Sequence, residues 1–316
     1  MSRSSSPQRP GRGARSGNRA TATRWATLLR EIGHEVSVGT HLGVTRCDVL
    51  VAVHARKSHA AVEAFRSRHP RGPIVLLLAG TDLYGDGPEN RRVAESMRWA
   101  TRLVVLQPLA RRTVPRSLHR KVRVIRQSAM RPAGPIHKRS GVFEVCVVGH
   151  LRSVKDPFRT AYAARRLPRS SRIQVVHVGG ALSADMERRA RRESQQNSRY
   201  RWMGSQPKKT ALRILARSRV LVVTSRSEGG ANVISEAIVC GVPVIASRID
   251  GSVGLLGRDY PAYFPVGDTA SLAGLLERVE QDGHFLADLK RRCRELQPAF
   301  RPSAERAAWR QLLAEL

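Results

Sequence analysis

Short apolar runs alternate with amphipathic stretches along the chain from about residue 18 onward. The apolar runs have the length of strands, and the stretches between them repeat apolar residues at helical spacing. This alternation predicts a parallel sheet with helices on both faces. In the first half of the chain, the predicted strands are 34–38, 48–53, 74–79, 102–106 and 122–125.

The alternation is interrupted at 131–141, RPAGPIHKRSG, where proline and glycine predict a linker. It then restarts, with predicted strands at 143–148, 172–178, 199–203, 219–224 and 243–246 and predicted helices at 156–167, 184–196, 208–218, 231–240, 269–281, 284–296 and 303–315. The pattern therefore predicts an α/β fold of two doubly wound domains, 16–133 and 142–298, facing a central cleft. We expect the last helix, 303–316, to pack back on the first domain.

The start of the first domain departs from this pattern. A doubly wound sheet normally opens with an apolar strand that feeds a glycine loop. The stretch MSRSSSPQRPGRGAR has no apolar pair before SGNRATATRW, so the first strand is missing. Because a missing central strand would expose two neighbouring ladders, we expect a divergent or mis-set start, with a disordered basic tail over 1–15.

Composition narrows the classes of function. The net charge is +31, but only seven of the 56 Lys and Arg residues are lysine, and the arginines are scattered over nearly every polar stretch. The sequence contains no zinc finger, basic zipper or aromatic RNA-binding motif, so we expect no nucleic-acid partner. The four cysteines lie far apart and make no metal-binding pair, which favours a reduced, cytoplasmic protein without a metal.

No apolar run approaches the ~20 residues that a membrane-spanning helix needs. The basic N-terminus lacks the apolar region of a secretory signal. We therefore expect no membrane partner. The oligomeric state stays open.

The stretch SRSEGGANVISEAIVCGVPVIAS, 225–247, carries the most informative chemistry. A buried strand ends before it, a glycine pair makes the turn, and a helix follows whose free amides can bind an anion. Glu236 lies one turn after Asn232 on the same side of that helix, where a carboxylate can accept hydrogen bonds from a vicinal diol. Glu228 in the turn could do the same for a sugar hydroxyl. Alternatively, both glutamates are solvated residues favoured by the helix dipole.

This stretch resembles the donor-site motif of the GT-B glycosyltransferases of family 4, which bind nucleotide-diphosphate sugars between two Rossmann-like domains. The resemblance implies that Glu236 holds the donor ribose and that Glu228 contacts the sugar. It also implies that the main-chain amides around the glycine pair line the sugar and pyrophosphate; they belong to Gly229, Gly230, Ala231 and Asn232.

The family also places an arginine and a lysine after the first strand of the second domain, to hold the pyrophosphate. Here that segment is VVGHLRSVKDPF. Lys155 aligns with the lysine, His150 stands at the usual arginine position, and Arg152 is positioned to replace it. The alternative is that Arg152 and Lys155 are ordinary loop cations.

A more specific resemblance spans residues 17–268. Seven segments of the sequence are together similar to the selenosugar synthases of selenoneine biosynthesis. They are GNRATATRWATLLREIGHEV, VAVHARKSHAAVEAF, LAGTDLYGD, VVLQPLA, GHLRSVKDP, SEGGANVISEA and DGSVGLLGRDYPAYFPVGD. The resemblance implies transfer of a sugar from a UDP-sugar, UDP-N-acetylglucosamine in particular, to selenophosphate. No further cofactor is expected, because the UDP-sugar is a substrate.

Selenophosphate is already anionic, so its positioning matters more than a catalytic base. The cations expected to hold it are Arg19, which follows Gly17 and Asn18 in the first loop, and Arg56 with Lys57. Gly17, Asn18, Thr81 and Asp82 are also expected to bind the acceptor. Thr81 and Asp82 follow a strand of the same domain, and Asp82 could position the sugar or only cap a turn. His54 could polarise the acceptor or bind its phosphate, or it could be a satisfied strand-end histidine.

Two other functions stay open at this point. One is a GT-B glycosyltransferase that acts on a conventional hydroxyl acceptor, with the same donor site. The other is a basic binding protein with a degenerate site, which the combination of Glu228, Glu236 and Lys155 argues against.

Overall fold

The computed structural model describes residues 17–43, 47–85, 87 and 89–316. The basic tail predicted for 1–15 lies outside the described residues. In the described chain the elements form two parallel sheets, of four and six strands.

The first sheet has the strand order β1-β2-β3-β4. Its second strand, β2, pairs in parallel with both neighbours and is buried along its whole length, because its apolar side chains are covered on both faces. The strands are β1 (Leu50–Val53), β2 (Ile74–Leu77), β3 (Arg102–Val105) and β4 (Val122–Val124). The helices are α1 (Gly17–Glu31), α2 (His59–Arg68), α3 (Thr81–Tyr84) and α4 (Arg91–Trp99), with 3₁₀ helices at Pro108–Thr113 and Arg116–Lys121.

The second sheet has the order β10-β9-β8-β5-β6-β7, so the direction of strand addition reverses between β5 and β8. Its strands are β5 (Phe143–Val148), β6 (Ile173–Val178), β7 (Tyr200–Trp202), β8 (Val220–Val223), β9 (Val244–Ser247) and β10 (Tyr263–Phe264). Its helices are α5 (Arg159–Ala164), α6 (Ala184–Gln196), α7 (Lys208–Arg217), α8 (Asn232–Cys240), α9 (Asp250–Leu256), α10 (Thr269–Gln281) and α11 (Gly283–Leu296), with 3₁₀ helices at Ser153–Lys155 and Gln297–Phe300. Such a reversal opens a crevice at the carboxyl ends of the strands.

The prediction of a strand at 34–38 was wrong. The segment is neither strand nor helix, and most of it is exposed, although Val36 packs against the cluster around Trp25. A strand forms only where a neighbouring strand satisfies its main-chain groups. No described strand pairs with 34–38, because β1 is the last strand at that side of the sheet.

Other differences are smaller. The helix predicted at 156–167 is confined to α5, since Asp156 adopts a left-handed conformation, with φ 44°, and Pro157 follows it. The apolar pattern did not predict α3, α9 or β10. The domain boundaries at 133 and 142 stay predictions.

The chain passes between the sheets twice, at about 126–142 and at about 297–302. The two passages are joined where the amide of Ala129 donates to the carbonyl of Phe300 over 3.0 Å. The final helix, α12 (Pro302–Leu313), then packs on α1, where the rings of Trp25 and Trp309 meet edge to face at 4.7 Å. The last helix is thus part of the first sheet's core.

Candidate functional site

The site lies at the switch point of the second sheet, where β5 and β8 end. A small cavity there is lined by the loop after β5, the end of β8 and the start of α8. Its lining residues include Gly149, His150, Lys155, Thr224, Ser225 and Val233. Ala231 precedes α8, and no side chain caps this end of the helix. The first amides of α8 therefore remain available to an anion.

Lys155, which lines this cavity, pairs with Glu228 of the loop after β8. The ammonium of Lys155 is ion-paired with Glu228 Oε1, which also accepts from Ser225 Oγ at 2.7 Å. The main chain at Lys155 is held as well, because Thr224 Oγ1 donates to its carbonyl at 2.8 Å. A bound pyrophosphate could replace Glu228 as the partner of Lys155 and release the carboxylate towards a sugar hydroxyl.

The loop after β5 is held from the neighbouring strand by His177. Burial lowers the pKa of His177 to about 4, so its ring is neutral near pH 7. Nε2 donates to the carbonyl of Gly149 at 3.1 Å, while Nδ1 accepts from the Tyr200 hydroxyl at 2.9 Å. His150, which follows this carbonyl, accepts from the amide of Gly180 at 3.1 Å through Nδ1. The ring of His150 thus orders the loop.

Glu236 lies on α8 beyond the cavity. Burial raises the pKa of its carboxyl, and the positive charges of Lys208 and Arg24 oppose that rise. Asn232, one turn earlier, accepts a hydrogen bond from Arg24 Nη1 at 3.3 Å. Glu236, whose carboxylate is predicted to bind the donor ribose, and the side chain of Asn232 therefore both lie near a cation from α1.

On the opposite side of the cleft, His54 ends β1 in a left-handed conformation, with φ 78°, which is uncommon for a residue with a side chain. Its Nε2 lies 2.8 Å from Thr81 Oγ1, and its Nδ1 lies 3.6 Å from Asp82 Oδ2. Backbone strain of this kind is concentrated at functional sites.

Asp82 organises the main chain of this side. Its Oδ1 accepts from the amides of Ala79 and Gly80, and its Oδ2 accepts from the amide of Ala55, each at 2.8 Å. The carboxyl is fully buried. The structure thus favours the turn-holding alternative, and direct contact between Asp82 and an acceptor does not fit this burial.

The two sides of the cleft touch through glycines. A Cβ on Gly80 would lie 2.9 Å from the amide nitrogen of Gly229, and one on Gly229 would lie 2.7 Å from the carbonyl oxygen of Ala79. Gly230 faces the first domain in the same way, since a Cβ there would lie 2.7 Å from the Cβ of Leu106. Only residues without a side chain allow the loops after β2 and β8 to approach this closely.

The remaining predicted cations are at the surface. Arg56 and Lys57 lie in the turn after His54, Arg152 lies just before the 3₁₀ helix that ends at Lys155, and all three are exposed. Arg19 is exposed in the first turn of α1, after Gly17 and the half-buried Asn18. The structure joins Lys155 to Glu228 and His54 to Thr81, but it leaves these outer cations on the rim.

Within the described ranges, no three His, Cys, Asp or Glu side chains cluster as a metal site would require. None of the helices there has the length and apolar character to cross a membrane.

A family model for the glycosyl transferases group 1 matches residues 134–296, just over half of the chain. The protein belongs to this family. The match covers β5 to β10 and thus includes Lys155, Glu228 and Glu236. No curated protein matches the sequence significantly.

Solved structures resemble this group 1 glycosyltransferase over most of its length. HepE from Anabaena, in complex with UDP and glucose, is 19% identical with a TM-score of 0.69, over 85% of this chain and 78% of HepE. Sucrose-phosphate synthase from Thermosynechococcus elongatus is 20% identical with a TM-score of 0.69, over 85% and 74%. A trehalose-phosphate synthase from Burkholderia xenovorans, in complex with glucose-6-phosphate, is 13% identical with a TM-score of 0.67, over 94% and 76%. The predicted GT-B fold is confirmed.

Three residues that the structure of this group 1 glycosyltransferase brings to the cleft were not predicted from the sequence. Arg24 contacts Asn232 from α1, Gln107 contacts α9 from the first domain, and Ser225 binds Glu228. Arg24 is one arginine among 49, so its position in the sequence carried no signal. Ser225 directly follows the end of a predicted strand, and that position could have indicated it.

Proposed function

We propose that the protein transfers a sugar from a UDP-sugar to selenophosphate, forming a bond between carbon and selenium. The observation that carries the donor half is the uncapped start of α8, flanked by Lys155 and Glu236. A diphosphate needs amides and a cation, and a ribose diol needs a carboxylate acceptor. Lys155 and the first residues of α8 line one cavity, and Glu236 lies one turn further along the same helix. The presence of UDP in the HepE complex, which has the same fold, supports this choice of donor.

In the proposed reaction, a selenium lone pair attacks C1 of the sugar, and the bond from C1 to the β-phosphate oxygen breaks. That electron pair leaves on UDP, where Lys155 and the amides of α8 stabilise the charge. Water then cleaves the bond between phosphorus and selenium, which releases inorganic phosphate and the selenol of the sugar. N-acetylglucosamine is the sugar that the sequence resemblance favours.

The proposed acceptor is supported by the resemblance of the segments over 17–268 and by the positive charges at the edge of the cleft. Arg56 and Lys57 follow His54 on the acceptor side, and Arg19 begins the helix that carries Arg24. An anion entering the cleft meets these cations before it reaches the donor sugar. No general base is required, because selenophosphate is an anionic and soft nucleophile.

The donor assignment is tested by Glu236→Gln, which keeps the shape of the side chain and removes its charge. We expect the Kd for UDP in isothermal titration calorimetry to rise by about tenfold or more, since hydrogen bonds to a charged group are worth about 1.5–3 kcal/mol. Glu295→Gln, at an exposed position of α11, is the matched control and should bind as the wild type does. Unchanged binding in Glu236→Gln would contradict the donor assignment.

The reaction is tested by incubating the protein with UDP-N-acetylglucosamine and selenophosphate, with UDP release followed and products examined by mass spectrometry. A sugar product with the selenium isotope pattern supports the proposal. UDP release without selenium in the sugar would rule out this acceptor and point to hydrolysis or another acceptor.

The acceptor residues are tested by Arg56→Ala against Arg71→Ala. Both arginines are exposed, but Arg71 precedes β2 and so lies at the amino end of the sheet, away from the cleft. We expect Arg56→Ala to lose selenophosphate use while hydrolysis of the UDP-sugar survives, and Arg71→Ala to keep both. Equal loss of the two activities in Arg56→Ala would count against the assignment.

A conventional hydroxyl acceptor is the second candidate, and His54 is the observation that favours it. A hydroxyl needs a base, and His54 stands at the end of β1 with the Asp82 carboxylate 3.6 Å from Nδ1. Under this alternative, His54→Asn should abolish transfer to a sugar hydroxyl. Under the main proposal, transfer to selenophosphate should survive the same change.

A further inference from the structure

Arg24 lies where the first domain, the final helix α12 and helix α8 of the second domain meet. It belongs to α1, and its side chain is 20% exposed. Its Nη1 donates to Asn232 Oδ1 at 3.3 Å, across the domain interface. On its other side, Nε lies 3.5 Å from Glu305 Oε2. One guanidinium thus faces both α8 and α12.

Glu305 is held firmly by groups other than Arg24. Its Oε1 accepts from Trp25 Nε1, and its Oε2 accepts from the amide of Ser128, each at 2.7 Å. The carboxylate is buried, and a buried charge of this kind needs an opposite charge nearby. Because Glu305 is fixed by these bonds, it sets where the guanidinium of Arg24 lies.

The end of the Arg24 side chain that points away from Glu305 contacts α8. Asn232 and Glu236 are four residues apart, so they lie on the same face of α8. The positive charge of Arg24 opposes the effect of burial on the pKa of Glu236 and favours its ionised form. The ionised form is the one that accepts two hydrogen bonds from a diol.

The same contacts reach the passages between the sheets. Ser128 lies in the first passage, next to Ala129, whose amide bonds to Phe300 in the second. Gln127 Nε2 also donates to Thr21 Oγ1 of α1 at 2.9 Å. Arg24 therefore connects α8, through Glu305 and Ser128, to the two passages between the sheets.

We propose that Arg24 is a positioning residue for donor binding, which holds Asn232 and Glu236 of α8 in place from the opposite domain. This inference rests on the donor half of the proposed function. Since the contact exists before any reaction, it should act on donor binding and leave the chemical step largely unchanged.

The test compares Arg24→Met and Arg24→Lys with Arg306→Met. Arg306 also joins α12 to α1, through Glu31 at 2.9 Å, but at an exposed position that does not reach α8. We expect Arg24→Met to raise the KM for the UDP-sugar by about tenfold or more while kcat changes by less than about threefold. Arg24→Lys should recover part of the binding because it keeps the charge, and Arg306→Met should leave KM unchanged.

The role of Arg24 also has a readout without any substrate. In Arg24→Met, hydrogen exchange at the amides of 232–240 should be faster than in the wild type and in Arg306→Met, because α8 loses its tie to α1. Unchanged exchange together with an unchanged KM would overturn the inference while leaving the donor site intact. If the wild type bound no UDP-sugar, the proposed function itself would fail, and this inference with it. A third outcome is that Arg24→Met and Arg306→Met lose the same donor affinity and the same thermal stability. Arg24 would then only hold α1 and α12 together, and the inference would be overturned.

Discussion

His177 is a buried residue whose protonation would disturb the loop after β5. Its two ring nitrogens are both used, one by the carbonyl of Gly149 and the other by Tyr200. The hydrogen bond from the Tyr200 hydroxyl requires a neutral Nδ1 with a free lone pair. A second proton on this ring would remove that acceptor in a buried position.

The stability of the protein should therefore depend on pH through His177. The folded pKa, about 4, lies below the ordinary value of about 6.5, so the unfolded chain binds the proton first. The stabilising contribution is present above pH 6.5 and is lost as pH falls towards 4. Between pH 7.5 and 5.5 the loss should be on the order of 1 kcal/mol.

Urea unfolding of the wild type and His177→Gln at both pH values measures this effect. The variant should be less stable at pH 7.5, and its free energy of unfolding should fall less than that of the wild type when the pH is lowered. Identical losses in the two proteins would contradict the assignment of this pH dependence to His177.

At the scale of elements, α9 joins the loop after β8 to the first domain. A Cβ on Gly251 would lie 2.2 Å from the carbonyl oxygen of Glu228, and one on Gly254 would lie 1.9 Å from Gln107 Oε1. Gln107 is itself fixed, because it accepts from the amide of Leu109 at 2.6 Å and donates to the Tyr84 hydroxyl at 3.1 Å. The glycine positions of α9 thus set how closely the domains approach.

Gly254→Ala should hinder closure of the cleft. Because Gln107 is buried and bonded on both sides, it has little room to move, and we expect the transfer rate to fall by about tenfold or more. Under the proposed function UDP binds to the second domain, so its binding should change by less than about twofold. The measurements are kcat for transfer and the Kd for UDP.

Gly274→Ala is the matched control for this change. Gly274 is also a helical glycine of the second domain, but no atom lies within 4 Å of its Cβ position. Alanine there should stabilise the helix by up to about 1 kcal/mol and leave transfer unchanged. If Gly254→Ala also left the transfer rate unchanged, the close approach of Gly254 to Gln107 would not matter for transfer.

At the scale of the whole molecule, the end of the chain completes the first domain. Trp309 of α12 is fully buried in a cluster with Trp25, Leu28 and Leu29 of α1. Just beyond this helix, Glu315 pairs with Arg102 and Arg123 of β3 and β4. Both ends of the described chain therefore belong to one core, and the second domain is inserted between them.

Trp309→Ala should destabilise the protein by about 3–5 kcal/mol, because it empties a large volume in this core. The loss should appear first in the first domain, as faster hydrogen exchange of β2 than of β6. Leu316→Ala, at a position that is 37% exposed, should have little effect. Thermal unfolding and exchange by mass spectrometry measure both variants; equal behaviour would refute the role of α12 in the first core.

Local chemistry made much of the second domain predictable. The helices at 184–196 and 269–281 have the bounds that the sequence predicted, because Ser183 and Asp268 cap them and the apolar spacing is regular. The donor motif was also local, since its glutamates, glycines and helix start lie within a few turns of one another. The roles predicted for these residues stay predictions.

Pairing and contact over long distances were decided only by the tertiary structure. The apolar pattern at 34–38 is that of a strand, but a strand needs a neighbour, and the pattern of a segment does not say whether one exists. Likewise, Arg24 and Asn232 meet although 208 positions separate them. The sequence alone thus determined the fold class and the donor motif, because helical periodicity, capping and turn chemistry act between near neighbours. The closeness of the two domains and the place of Arg24 depended on packing between distant segments, which only the folded chain brings together.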